Sequence, residues 1–191
     1  MIARRGEAVR QAVLMAALAE LAEGGYAAFA IENVAARAGV HKTTVYRRWP
    51  DRESLLTDAV LERAAFDFEL PDTGDIDADL RVWVQRLADW LTGPSGAPLV
   101  AMLRSDAARL PAVVEAKTRF FAHRAMVLSQ RLESAVDRDQ LPTGTDPLTF
   151  LATLVAPLYL NLLVLDRDLT PDHCDRSVHV ALTAARANLL G

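Results

Sequence analysis

Cysteine is nearly absent from this chain of 191 residues: Cys174 is the only one, so no intrachain disulfide can form and the fold must be held by packing. That usage suits a reducing compartment, and the protein is expected in the cytoplasm. No Asn-Gly or Asp-Gly pair separates alternating apolar runs, which argues against β-hairpins and a sheet. Internal repeats and low-complexity tracts are absent too. No uninterrupted apolar run reaches the roughly 20 residues of a bilayer span. Phe150–Leu165 comes nearest, but it is shorter and Pro157 and Asn161 interrupt it, so it reads as a buried helix and no membrane partner is expected. Arg4-Arg5 ahead of Ala12–Ala19 imitates a short export signal. Glu7 lies within the basic part, and Val13, Leu14, Ala17 and Leu21 recur at helical spacing, so an amphipathic helix is the better reading.

Catalytic and metal motifs are missing as well. There is no nucleophile elbow and no Gly-rich phosphate loop, so no enzyme is expected. His173, Cys174 and His179 invite a zinc reading, but the two histidines point to different sides of a helix and no second cysteine exists. No metal and no cofactor are expected.

What is present begins with apolar material. The chain is 51% hydrophobic and 24% charged, enough for a real core. Its net charge of −4 hides an asymmetry. Residues 1–56 hold eight Lys/Arg and six Asp/Glu, a charge of +2, whereas 57–191 hold thirteen and nineteen, a charge of −6. The basic end suits a polyanion. Glycine and proline fall in clusters, and the intervals between them read as helices over about 6–23, 31–38, 42–49, 51–69, 77–91, 99–109, 111–138, 147–165 and 171–190. The expected fold is all-α. Residues 1–56 form a three-helix helix-turn-helix domain, a linking helix follows, and 57–191 form a helical ligand-binding and dimerisation domain.

The informative stretch is Val34-Ala35-Ala36-Arg37-Ala38-Gly39-Val40-His41-Lys42-Thr43-Thr44-Val45-Tyr46-Arg47-Arg48-Trp49. Gly39 tolerates a left-handed backbone and turns the chain sharply after the first helix. Ala35 is small enough for a second helix to cross close above it, while Val34, Ala38, Val40 and Val45 supply a minimal core. The second helix then presents His41, Lys42, Thr43, Thr44, Tyr46, Arg47 and Arg48. Lysine and arginine neutralise phosphates, and hydroxyls bond phosphates or base edges. Pro50 ends this helix, Asp51 caps the next, and Arg52 adds a cation at its start. These eight residues, His41 to Thr44, Tyr46 to Arg48 and Arg52, are the candidate DNA contacts. Trp49 is expected in the core, and the Tyr46 hydroxyl is expected to meet a phosphate.

From Arg10 to Leu56 the sequence resembles the TetR family of bacterial regulators. Val13, Ala17, Gly25-Tyr26, Val34-Ala35, Ala38-Gly39-Val40, Thr44-Val45-Tyr46, Trp49 and the run Asp51-Arg52-Glu53-Ser54-Leu55-Leu56 carry the resemblance. It implies a DNA-binding three-helix domain, a fourth helix leading to a divergent ligand-binding domain, and a homodimer formed by the last two helices. Ala30, His41, Thr43 and Arg52 depart from the family pattern and should alter which DNA sequence is read.

The C-terminal part carries a weaker signal. Trp90, Met102, Phe120, Phe121 and Tyr159 are large and apolar or aromatic, with His123, Arg124 and Asn161 as scattered polar groups. These eight are the candidate ligand contacts for a small apolar or aromatic effector. The expected function is a ligand-released repressor on a palindromic double-stranded DNA operator. The alternative is a DNA-binding regulator with no small-molecule effector, acting constitutively or through a protein partner. The apolar breadth of 147–190 predicts dimerisation there, with Leu158 and Leu162 in the interface.

Overall fold

The computed structural model describes residues 2–66, 69–104 and 106–191. Among them there are helices and no strands. The helices are α1 (Ile2–Ala28), α2 (Ile31–Arg37), α3 (Lys42–Tyr46), α4 (Arg52–Phe66), α5 (Ile76–Thr92), α6 (Ala97–Arg104), α7 (Pro111–Asp137), α8 (Pro147–Tyr159) and α9 (Pro171–Arg186). A 3₁₀ turn, Asp106–Arg109, precedes α7, and a π-helical turn, Leu160–Val164, continues α8. The chain divides into two compact units: residues 1–67 with 94–117, and residues 68–93 with 118–191. The first unit is therefore not the linear stretch 1–56. It also takes up the segment 94–117, which contains α6.

In the first unit, Val13, Leu14, Ala17 and Leu21 line one face of α1, the spacing that puts side chains on a single stripe. Around them gather Val34 and Ala35 of α2, Val45 of α3, Leu55, Leu56 and Ala59 of α4, Met102 of α6 and Val113 of α7. Helix α1 contacts α2, α4 and α6. At Gly25 the backbone leaves the helical region, with φ 68° and ψ 177°, and breaks the last turn of α1 from the rest.

In the second unit the helix starts are written in the sequence. Asp75 accepts from the Ala78 amide at 3.1 Å and caps α5, and Asp146 caps α8 by accepting from the Thr149 amide at 2.7 Å, with Pro147 at the first helical position. Thr170 and His173 form a reciprocal capping box at α9. The inner face of α8, Phe150, Leu151, Leu154, Val155 and Leu158, is buried, and α8 packs on α9. Residues 147–164 have the length and composition to cross a membrane, yet here one face of that stretch is core.

A buried ion pair anchors this unit. The Arg131 guanidinium donates to Asp79 Oδ2 at 2.5 Å and to the Pro71 carbonyl at 3.0 Å, and Thr73 donates twice to the same carboxylate. Asp79 is 1% exposed and Arg131 5%. Burial pushes the Asp79 carboxyl up, but the hydrogen bonds from Arg131 and Thr73 outweigh it and hold it below the usual carboxylate range. Removing one charge of such a pair strands the other, so Asp79→Asn should lower stability by about 3 kcal/mol in urea unfolding. The folded pKa lies below the unfolded value of about 3.9. The carboxylate's contribution is thus complete above that pH and is lost as pH falls through the folded pKa. The acid limb of the stability profile should be shallower in Asp79→Asn than in the wild type.

Candidate functional site

The turn between α2 and α3 is fixed by backbone hydrogen bonds. The Val40 amide donates to Ala35 O at 3.0 Å and the Gly39 amide to Ala36 O at 3.2 Å, the paired pattern of a Schellman motif. Gly39 sits at its left-handed position with φ +66°. Val34, Ala35 and Val45 are buried where the two helices meet. Ala30 precedes α2 with no side-chain cap, as its lack of a hydroxyl requires, and Asp51 Oδ1 accepts from the Ser54 amide at 2.7 Å at the start of α4.

This scaffold is braced from three sides. Trp49 is buried, and its indole N–H donates to Asp58 Oδ2 of α4 at 2.9 Å. Asn33 of α2 donates to Glu20 of α1 at 2.6 Å, and Arg37 pairs with Glu23. Arg10 and Gln11 of α1 both donate to Glu62 of α4. The hydrogen bond to Glu62, reinforced by one to Glu7, drives the Arg10 pKa further up.

On this braced frame His41, Lys42, Thr43, Tyr46, Arg47 and Arg48 are exposed and Thr44 is half-buried. Arg48 lies 5.6 Å from the Trp49 ring centroid. Arg52 is held more closely: it stacks 4.5 Å over the Tyr26 ring and donates to Glu53 at 3.2 Å. The Tyr46 hydroxyl donates to Glu32 of α2 at 3.2 Å. Glu32 was not among the candidates, because a carboxylate is not a phosphate ligand; only its place next to the recognition helix brings it in. Arg10 joins Thr44, Arg47 and Arg48 along one open groove, which its position 32 residues before Lys42 does not suggest.

The ligand candidates are only partly gathered. Phe120, Phe121, Arg124 and Tyr159 line a single cavity in the second unit, together with Trp83 and Leu151. Met102 does not join them. It is buried in the core of the first unit, because α6 packs on α1. Trp90 is half-buried on α5 and is not among the lining residues; His123 is exposed on α7. Asn161 donates to the Pro157 carbonyl at 2.8 Å and is not among the lining residues. Trp83 escaped the sequence reading because its spacing to Leu80, Val84 and Leu87 is that of plain core. The cavity has a volume of about 20 Å³, against roughly 300–1,000 Å³ for ligand pockets in general.

A glycine-turned pair of short helices, braced by a third and with a basic exposed face, has the form of a helix-turn-helix DNA-binding domain. Comparison with known proteins agrees. A family model described as "Bacterial regulatory proteins, tetR family" matches residues 13–59, and one described as "Tetracyclin repressor-like, C-terminal domain" matches residues 70–181. The chain belongs to the TetR family of transcriptional regulators. The regulator AqdR of Rhodococcus erythropolis is 27% identical over 94% of this chain and 86% of its own length. The DNA-binding transcriptional repressor TetR of Mycobacteroides abscessus is 42% identical over 40% of each chain. The crystal structure of the TetR family transcription regulator SCO0332 superposes with a TM-score of 0.76 at 29% identity, covering 92% of this chain and 97% of that one.

Space is open around both Gly39 and Gly6, but only Gly39 has a positive φ. Gly39→Ala should therefore lower stability by about 1 kcal/mol, while Gly6→Ala, within α1, should not destabilise. Urea midpoints of the two variants measure the cost of the turn itself.

Proposed function

We propose that this protein is a cytoplasmic repressor that binds a near-palindromic double-stranded operator as a homodimer and is released by a small apolar or aromatic effector. The observation that carries the reading is the recognition helix: Lys42, Arg47 and Arg48 stand exposed on a helix whose opposite side, through Val45, is locked into the core. A helix so held enters the major groove as a rigid body, with Thr43 and Thr44 near base edges and the cations on phosphates. Arg52, stacked on Tyr26, would contribute a more fixed charge at the start of α4.

Support for the homodimer comes from α8, its π-turn and α9. Leu148, Leu160, Val164 and Val180 are exposed there, at 52%, 50%, 71% and 49%. Leu158 and Leu162, expected at the interface, are instead buried inside the protomer. A two-fold mate on this face would cover the exposed leucines and valines in a four-helix contact and set two recognition helices about 34 Å apart.

Release would work through unequal affinity for two arrangements of the DNA-reading heads. A coupling of about 1–3 kcal/mol lowers operator affinity roughly 5- to 150-fold. Helix α4, tied to α1 through Glu62 and followed in the chain by the second unit, is the proposed lever. The alternative, regulation without an effector, draws on one observation: a cavity of about 20 Å³ has room for about one water molecule. An effector must therefore open the second unit, and thermal stability measured with and without candidate compounds separates the two readings.

Two outcomes test the DNA-binding and dimer assignments. Lys42→Ala should weaken binding to operator and random DNA alike and reduce the salt slope by about one, whereas Thr44→Ala should change the ranking of sequences. Unchanged affinity in all of Lys42→Ala, Arg47→Ala and Arg48→Ala would overturn the assignment. Leu160→Arg combined with Val180→Arg should give folded monomers in sedimentation that no longer bind operator. A wild type that sediments as a monomer at micromolar concentration would remove the dimer.

A further inference from the structure

The acids of the DNA-reading unit do not all have the same kind of partner. Glu7, Glu20, Glu23, Glu53 and Glu62 each lie in an ion pair with Arg10, Arg37 or Arg52. Glu32, in the first turn of α2, is exposed and makes no ion pair among the described residues. Its carboxylate accepts from a neutral group, the Tyr46 hydroxyl, at 3.2 Å. Its neighbours on α2 are used differently: Asn33 and Arg37, four residues apart, reach back to α1. The bond to Tyr46 sets the Glu32 carboxylate at the edge of the exposed face of α3. Lys42 and Thr43, four and three residues before Tyr46, share that face, and all three are exposed.

A negative charge beside a DNA-reading face is repelled by phosphates unless it meets a donor. Base edges in the major groove supply donors, but not equally. Cytosine presents its N4 amino group and no acceptor, adenine sets the N7 acceptor beside its N6 amino group, and guanine and thymine present acceptors only. A carboxylate only accepts, so cytosine matches it best. The Tyr46 hydroxyl has one proton, and giving it to Glu32 leaves none for a phosphate oxygen. Desolvation and the neighbouring Glu32 charge hold the Tyr46 pKa above its usual value, so the proton stays on the phenol. The carboxylate keeps lone pairs for a further donor while it accepts this one.

We propose that Glu32 reads a base, its carboxylate accepting from the N4 amino group of a cytosine in each half-site while the Tyr46 hydroxyl holds it in position. The inference rests on the DNA-reading function proposed above and adds to it a specificity-determining residue that lies outside the recognition helix. Tyr46 is then a positioning residue for Glu32 rather than a phosphate ligand. A base contact of this kind separates the right base from the wrong ones by at least about fivefold.

The test selects preferred sites for the full-length protein from a randomised double-stranded DNA library. Affinities are then measured on synthetic duplexes carrying each base pair at each position of the selected half-site. The wild type should favour cytosine at one position by at least about fivefold. Glu32→Ala should level the four bases at that position and leave the other positions ranked as before. Glu32→Gln should move the preference there to adenine, because a carboxamide accepts from N6 and donates to N7. Tyr46→Phe should reduce the cytosine preference and spare the other positions; uniform weakening on every duplex would return the hydroxyl to a phosphate and overturn its positioning role. A selected site unchanged in both Glu32 variants, with tighter binding to all duplexes, would make Glu32 a repelling charge and overturn the inference while DNA reading stands. Relaxed preference at several positions with a lowered melting temperature would make it a brace between α2 and α3, which also overturns it. A wild type that selects no sequence removes the DNA-reading function itself.

Discussion

Val13, Leu14, Ala17 and Leu21 form a seam along α1, and the DNA-reading unit is arranged around it. Helices α2, α4 and α6 each bury their apolar face against this stripe, and α3, too short to be stable alone, is held through Val45. The polar bonds follow from that placement. Once α1 and α4 lie together, Arg10 and Gln11 reach Glu62; once α1 and α2 do, Asn33 and Arg37 reach Glu20 and Glu23. Exposed pairs of this kind add little energy, but they fix the azimuth of each helix about the seam. A recognition helix is useful only if its exposed face points one way, and here that direction is inherited from a hydrophobic stripe on another helix.

The second unit is held by a different logic. Its apolar interior is interrupted by charge, with Asp79 and Arg131 paired in depth and Arg124 set among rings. The pair, through the Pro71 carbonyl and Thr73, ties the 71–73 segment to α7, so it specifies geometry more than it adds stability. Arg124, seven residues earlier on α7, lies over the Phe120 ring and lines a small cavity.

The fold and the DNA-reading motif were legible because their signals are local. A glycine at the end of a helix, an alanine under a crossing and a proline after a basic run act over a few residues, and the structure has each doing what its chemistry requires. The ligand candidates were less legible because lining a cavity is a long-range property. Met102 is as apolar as Phe120, and nothing near it in sequence says that α6 turns back to α1. Leu158 and Leu162 were misplaced for a more specific reason. They keep the four-residue spacing of one helix face, and both do point inward. Leu160 and Val164 keep the same spacing on the opposite face and are the exposed pair. Periodicity groups residues by face, but in a helix apolar on both sides it does not say which face meets the protomer's own core.

The first unit recruits residues 94–117 from the far side of α5, and this has a consequence for biogenesis. Its core is incomplete until Met102 and Val113 have been synthesised. During translation, α1 to α4 emerge with the part of the α1 seam that α6 will cover still open, and α5, which belongs to the other unit, emerges in between. The DNA-reading head therefore cannot reach its final packing as an independent N-terminal module. The same interleaving bears on recombination between relatives. A crossover after α4 would give a head whose α6 came from another parent, so an exchange that leaves the core intact must carry 94–117 along with 1–67.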